Sequence, residues 1–317
     1  MTIETVLGPI PDDRLGPTLM HEHIFTGFAE LRAEYPRDVD AQDERAVRTL
    51  TALAETGFRS LVDLTVYGLG RDVRRIARIA EKAGVNIIPA TGIYTFADMP
   101  GYFKNYTIRV DEDFISSVLI REIEQGIGET GIHAGIIKFA TDARGLTPDI
   151  EKIIAQSAIA QLRTGVPIST HTDAPTRNGL VQQELLRTAG VDLGRVVIGH
   201  SGDSTDLGYL EQLIENGSWL GMDRFGHEPS GTLADRIATV AAMCERGYAD
   251  RMVLSHDTNV TSDNTPEELR SSPLFANWHF RCVPDIVLPA LRERGVSEAD
   301  IEKMTVTNPV AILATPR

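Results

Sequence analysis

Hydrophobic and polar positions along this chain follow one recurring pattern: a stretch of helical periodicity, a glycine, then a short apolar run. The glycines are Gly57, Gly84, Gly131, Gly165, Gly190, Gly217 and Gly247. Each fits a helix C′ position, where a left-handed residue ends the helix. The runs that follow read as strands over residues 60–64, 86–91, 135–139, 167–171, 196–200, 219–223 and 252–257. An earlier run, 15–23, makes eight. Strands alternating with helices, without antiparallel hairpin signals between them, predict a parallel sheet. Eight such units predict an α/β fold, a (β/α)8 TIM barrel spanning 1–317 as one domain.

The glycine spacing stretches between Gly84 and Gly131. That interval predicts a long loop over 94–113 after the third strand, then a helix near 114–126. A second long loop, 258–277, follows the eighth strand and carries structure-breaking Thr-Ser-Asp-Asn-Thr-Pro and Ser-Ser-Pro segments. In such a barrel the loops after the strands form the active-site face.

Composition narrows the class. The chain is 42% hydrophobic and 24% charged, as a globular protein is. A formal charge of −14 argues against nucleic acid or an anionic membrane as the main partner. Cys244 and Cys282 cannot make a disulfide framework, and a reduced, cytoplasmic setting is the simpler expectation. The first residues lack the basic region of a secretory signal. No apolar run approaches the roughly 20 residues of a membrane span.

Metal-capable residues collect where the predicted strands end. His21 and His23 close the first, Lys138 lies near the end of the fourth, and His171, His200 and Asp257 end the fifth, sixth and eighth. Two histidines two apart on a strand share a face, and Glu22 between them points away. A lone buried histidine is commonly a hydrogen-bonded core residue, but a set gathered at one rim points to a metal site. Imidazoles with a carboxylate suit Zn, Co, Mn, Fe or Ni better than Mg or Ca. Four histidines and an aspartate exceed what one catalytic ion with an open position needs, so they suit two ions. Lys138 is a poor ligand as an ammonium and a good bridge if carboxylated; otherwise it pairs with substrate or a nearby acid. Of the other histidines, His256 should face away from the interior and His133 lies at the opposite end. His279 reads as a packing residue, and His227, in the loop after the seventh strand, as a residue that could touch substrate but reads first as a solvated loop histidine.

Several segments occur together and in order: His-Glu-His at 21–23, Val-Asp-Leu-Thr-Val-Tyr-Gly-Leu-Gly-Arg-Asp at 62–72, Thr-Gly-Ile-Tyr at 91–94 and Gly-Ile-Ile-Lys at 135–138. Ile-Ser-Thr-His-Thr at 168–172, Ile-Gly-His-Ser-Gly-Asp at 198–203, Gly-Met-Asp-Arg-Phe-Gly at 221–226 and Leu-Ser-His-Asp at 254–257 complete the set. As a whole it resembles the phosphotriesterase family of the amidohydrolase superfamily, and within it the phosphotriesterase-like lactonases.

The resemblance implies a binuclear hydrolase. One divalent metal would be held by His21, His23 and Asp257, the other by His171 and His200, with carboxylated Lys138 and a hydroxide as bridges. Zinc is the first expectation, with cobalt, iron or manganese as alternatives. Asp257 would also carry the proton toward the leaving alkoxide. Tyr94 and Arg224 resemble lactonase residues that position the substrate. The implied substrates are lactones, with N-acyl-homoserine lactones foremost, which would make the protein a quorum-quenching enzyme with weak phosphotriesterase activity. A phosphotriesterase proper, or a hydrolase of sugar lactones or amides, is the alternative. An acyl channel is expected between the loops after the seventh and eighth strands, and a homodimer is implied by the family.

Overall fold

The computed structural model describes residues 1–35, 37–265 and 267–314. Eight strands form one parallel sheet: β1 (Thr18–Glu22), β2 (Ser60–Asp63), β3 (Asn86–Ile93), β4 (Ile136–Ala140), β5 (Ile168–His171), β6 (Val196–Ile198), β7 (Trp219–Met222) and β8 (Met252–Leu254). Each is hydrogen-bonded to its sequence neighbour, from β1 through β8. The seam between β8 and β1 is knit just beyond the ladder, where Asp257 N donates to His21 O at 3.0 Å and His23 N to Thr258 O at 2.9 Å. The result is a nearly closed barrel, as the pattern predicted.

Alternation along the strands builds two cores. Leu61, Ile87, Ile137, Ile168, Ile198, Leu220 and Leu254 pack outward against helical residues such as Leu50, Ile76, Leu119 and Ile150. Met20, Val62, Ile88, Ile136, Val197 and Val253 pack against one another with Ile3, Leu15 and Leu313, and fill the interior. Helices Val73–Ala83, Pro148–Thr164, Leu207–Glu215 and Leu233–Glu245 begin at Asp72, Thr147, Asp206 and Thr232, whose side chains accept from backbone N–H groups of the first turn.

Some expectations change in detail. The sixth and eighth strands stop short of the polar residues that end their runs, where the backbone turns at the mouth, while the first begins only at Thr18 and keeps His21 and Glu22 in the strand. Gly131 lies in a loop rather than at a helix end, since helix Phe114–Glu124 stops before Gly126. The long segment after β3 contains a helix, Gly101–Arg109, and a short antiparallel pair joins Thr2–Ile3 to Ile10–Pro11.

Two glycines let strands approach at the mouth. A Cβ on Gly92, whose φ is +139°, would sit 1.8 Å from Lys138 O. A Cβ on Gly199 would sit 2.0 Å from Thr170 O. Both positions flank residues of the site described next.

Candidate metal centre

Plain alternation aims Lys138 inward with Ile136, His171 with Ser169, and Asp223 with Gly221. It does not aim His21, His23 or His200. Leu19 packs in the outer core and Met20 in the inner one, so strict period two would turn His21 toward the helices. A register shift between Leu19 and Glu22 re-aims the end of β1. His200 follows β6 on the outward parity and is returned by a left-handed backbone, φ 60°. Asp257 also sits at positive φ, 53°. Two non-glycine residues in this sparsely populated region at one barrel mouth mark backbone held by its surroundings.

The side chains converge. His21 Nε2 and His23 Nε2 lie 3.4 and 3.2 Å from Asp257 Oδ1. His200 Nε2 lies 2.9 Å from His171 Nδ1 and 3.7 Å from Asp257 Oδ2. Lys138 Nζ lies 3.2 Å from His21 Nε2 and donates to Thr170 O at 3.0 Å. All six predicted ligand residues therefore meet at one point of the mouth.

The far side of each ring is fixed. His21 Nδ1 donates to Asp223 Oδ2 at 2.7 Å and His200 Nδ1 to Asp223 Oδ1 at 2.9 Å. His23 Nδ1 is 2.8 Å from Thr65 Oγ1. With its proton on Nδ1, His21 presents a bare Nε2 to the mouth. Burial, then Lys138, lowers its pKa to about 3, so the ring is neutral. Burial and His200 push His171 well below the ordinary value too. Burial would raise Asp257, but the imidazoles of His21 and His200 and the Arg224 guanidinium hold it well below the carboxylate range. A bare nitrogen thus faces a carboxylate oxygen, acceptor against acceptor, which a cation between them resolves.

That arrangement fits a divalent transition metal. Bonds of about 2.0–2.1 Å in a tetrahedron separate neighbouring ligand atoms by about 3.3 Å. The observed 3.2 and 3.4 Å separations match. Histidines whose second nitrogen bonds a carboxylate are the usual metal-site arrangement. Asp223 also lies close enough to join a ligand cluster with His21 and His200. Both its oxygens are occupied by their Nδ1 groups, so it orients ligands rather than supplying one.

Asp223 was missed by the sequence reading, although it ends a predicted strand at inward parity. The same strand-end census would have found it. Asp223→Asn is expected to weaken metal binding by roughly 10–100-fold, read by competition with a chelator. Unchanged affinity would remove it from this role.

The remaining predicted residues surround the mouth. Tyr94 packs edge-on to His171, with ring centroids 5.6 Å apart. Arg224 Nε donates to Asp257 Oδ2 at 3.1 Å and an Nη to Asp203 Oδ2 at 2.8 Å, so Arg224 braces Asp257. His227 is not a solvated loop residue. It lines the cleft beside His21, Tyr94 and Asp257, and packs against Phe275 and Trp278. Burial, then Arg224, lowers its pKa to about 4. His279 is exposed rather than packed. His256 faces away as expected, bonded to Glu22. The cleft over the centre holds about 160 Å³. A larger groove of about 670 Å³ beside helix Leu233–Glu245 shares none of its lining, so volume does not locate the chemistry.

A parallel barrel with histidine, lysine and aspartate gathered at the C-terminal ends of its strands defines a metal-dependent hydrolase. Comparison with known proteins gives the family. The phosphotriesterase family model matches residues 1–313. A phosphotriesterase homology protein of Mycobacterium tuberculosis is 48% identical over 313 residues, covering 97% of this chain and 96% of that one. The solved phosphotriesterase structure from Mycobacterium tuberculosis superposes with a TM-score of 0.96 at 47% identity, covering 99% of this chain and 98% of that one. A structure from the molecular engineering of organophosphate hydrolysis activity on a weak promiscuous lactonase template gives 0.91 at 33% identity, covering 99% and 100%. The chain belongs to the phosphotriesterase family, whose members are binuclear metal-dependent hydrolases. Among the described residues no helix is long and apolar enough to cross a membrane.

Proposed function

We propose that the chain is a lactonase. In this reading His21, His23 and Asp257 hold one cation, His171 and His200 hold a second, and carboxylated Lys138 bridges them. Zinc suits the imidazole-rich set, with cobalt, iron or manganese as alternatives. Bound there, the metals would supply Lewis acidity toward a carbonyl and lower the pKa of a water toward neutrality.

The chain's own groups do the rest. Asp257 Oδ2, oriented by Arg224, accepts the proton of the attacking water and returns it to the leaving alkoxide. Burial, then Asp257, pushes the Tyr94 phenol up, so Tyr94 stays an O–H donor for the lactone carbonyl.

The observation that carries the lactone reading is the small size of the cleft, with Tyr94 on its wall beside His171 and Asp257. An acyl-homoserine lactone extends a single acylamino arm from the ring carbon next to its carbonyl, whereas a phosphotriester carries three ester arms around a tetrahedral phosphorus. A cleft of about 160 Å³ suits the first. Its lining also carries the polar side chains of Thr26, Asn259, Ser262, Asn264 and Thr265, which suit an amide better than an alkyl chain. The space between the loops after β7 and β8, where an acyl channel was expected, is filled by the rings of His227, Phe275 and Trp278. N-acyl-homoserine lactones with short or polar acyl arms are therefore the proposed substrates, and their opening would quench quorum signals. A homodimer in the cytoplasm belongs to the same proposal.

Parallel kinetics on acyl-homoserine lactones of graded chain length, simple γ- and δ-lactones, sugar lactones and a phosphotriester test it. The highest kcat/KM is expected on a lactone with a short arm, with about two metals per chain and weak turnover of the phosphotriester. A phosphotriester preferred over every lactone would overturn the reading.

A further inference from the structure

The geometry points to Glu22 as a positioning residue that locks Asp257 in its left-handed conformation and so sets the affinity of the His21–His23–Asp257 position for its cation. This rests on the reading of Asp257 as a ligand. Alternation sets Glu22 aside, because it turns away from both histidines. It turns instead toward the seam of the barrel, where it is 0% exposed.

There it meets four donors. Oε1 accepts from Ser255 Oγ at 2.8 Å, His256 N at 2.9 Å and His256 Nδ1 at 2.6 Å, and Oε2 accepts from Thr258 N at 3.0 Å. Val283 N donates to His256 Nε2 at 2.8 Å, which leaves the ring proton on Nδ1 and makes that ring a donor to Glu22. His256 and Thr258 are the two neighbours of Asp257 in the chain. The N–H of Asp257 itself donates to His21 O at 3.0 Å. Three consecutive backbone donors, 256 to 258, are thus all taken by residues 21 and 22.

This contact sits where the strand ladder is missing. β1 and β8 are the two ends of the hydrogen-bonded sheet. One side chain on β1, between two metal-capable histidines, therefore registers the third member of their group across the seam. A residue at φ 53° stays there only where several contacts over-determine it. Ser255 adds to the brace, since its Oγ also accepts from His21 N at 2.9 Å. Only an acceptor suits this position. A glutamine would turn an N–H toward at least one of the four donors.

Glu22→Gln and the milder Ser255→Ala test the assignment by two readouts. The first is metal content per chain after dialysis against graded chelator. The second is amide hydrogen exchange at residues 256–258 in metal-free protein. Glu22→Gln is expected to keep its far-UV circular dichroism, fall from about two metals to about one, and exchange those amides roughly tenfold faster. Ser255→Ala should move both readouts in the same direction by less. Retention of both ions at wild-type affinity, or equal loss of both with unchanged exchange at 256–258, would overturn the assignment. Should Glu22→Gln not fold, Ser255→Ala decides on the same two scales. Fewer than two ions in the wild type would count against the binuclear reading, while the metal-free exchange comparison still decides the clamp.

Discussion

Replacing Lys138 with alanine is expected to remove metal and activity together, and a short carboxylate such as propionate is expected to restore part of both. Lys138 is 1% exposed, and its hydrogen-bond partners are a ring nitrogen and a carbonyl rather than a carboxylate. An ammonium so placed is costly. Burial lowers its pKa to about 8, against the pull of Asp257 and Asp223, so about a tenth of the side chain is neutral amine at pH 7, far more than for an ordinary lysine. A neutral amine adds CO2: the nitrogen lone pair forms the N–C bond, one proton leaves, and an anionic carbamate remains. That exchanges a buried cation for an anion beside the bare Nε2 of His21. Loss of such a bridge should cost more than the roughly 10–100-fold that an outer-sphere partner costs in metal affinity. Lys138→Arg should fail as Lys138→Ala does, because it keeps the charge and cannot be carboxylated. Wild-type metal content in either variant would rule out the bridging role.

Much of this centre could be read from the strand ends, and what escaped did so for local reasons. Lys138, His171 and Asp257 obey the alternation of their strands, so apolar periodicity alone placed them on the inner face. His21 and His23 could be paired with each other, yet their direction depends on the register shift in β1. His200 is on the wrong parity and reaches the mouth only through its left-handed backbone. No local pattern signals either feature. The family motifs supplied what periodicity could not. Glu22 shows the converse failure. Alternation correctly turned it away from the metal-capable face, but the partner it faces is more than two hundred positions along the chain. The loops were least legible. The rings of Phe275 and Trp278 close a space that composition left open, because ring packing depends on tertiary approach.

Asp257→Asn is expected to lower kcat by roughly 10²–10⁴-fold with little change in KM. The two carboxylate oxygens face different partners. Oδ1 faces His21 Nε2 and His23 Nε2 at 3.4 and 3.2 Å, while Oδ2 accepts from Arg224 Nε at 3.1 Å. An amide can serve one side only. With its NH2 toward Arg224, donor meets donor and the brace is lost. With its NH2 toward the histidines, the ligand oxygen is lost. Either rotamer also removes the group that takes the proton in the transition state, and such a loss falls on kcat rather than on ground-state binding. Arg224→Met separates the two functions. It leaves Oδ1 to its ligand role but frees Oδ2 from its brace, so metal content should hold at about two per chain while kcat falls. Steady-state kinetics with metal analysis on both variants would decide the matter. An Asp257→Asn enzyme within tenfold of wild-type kcat would place the proton transfer on another group. Loss of metal in Arg224→Met would show that the two oxygens act as one.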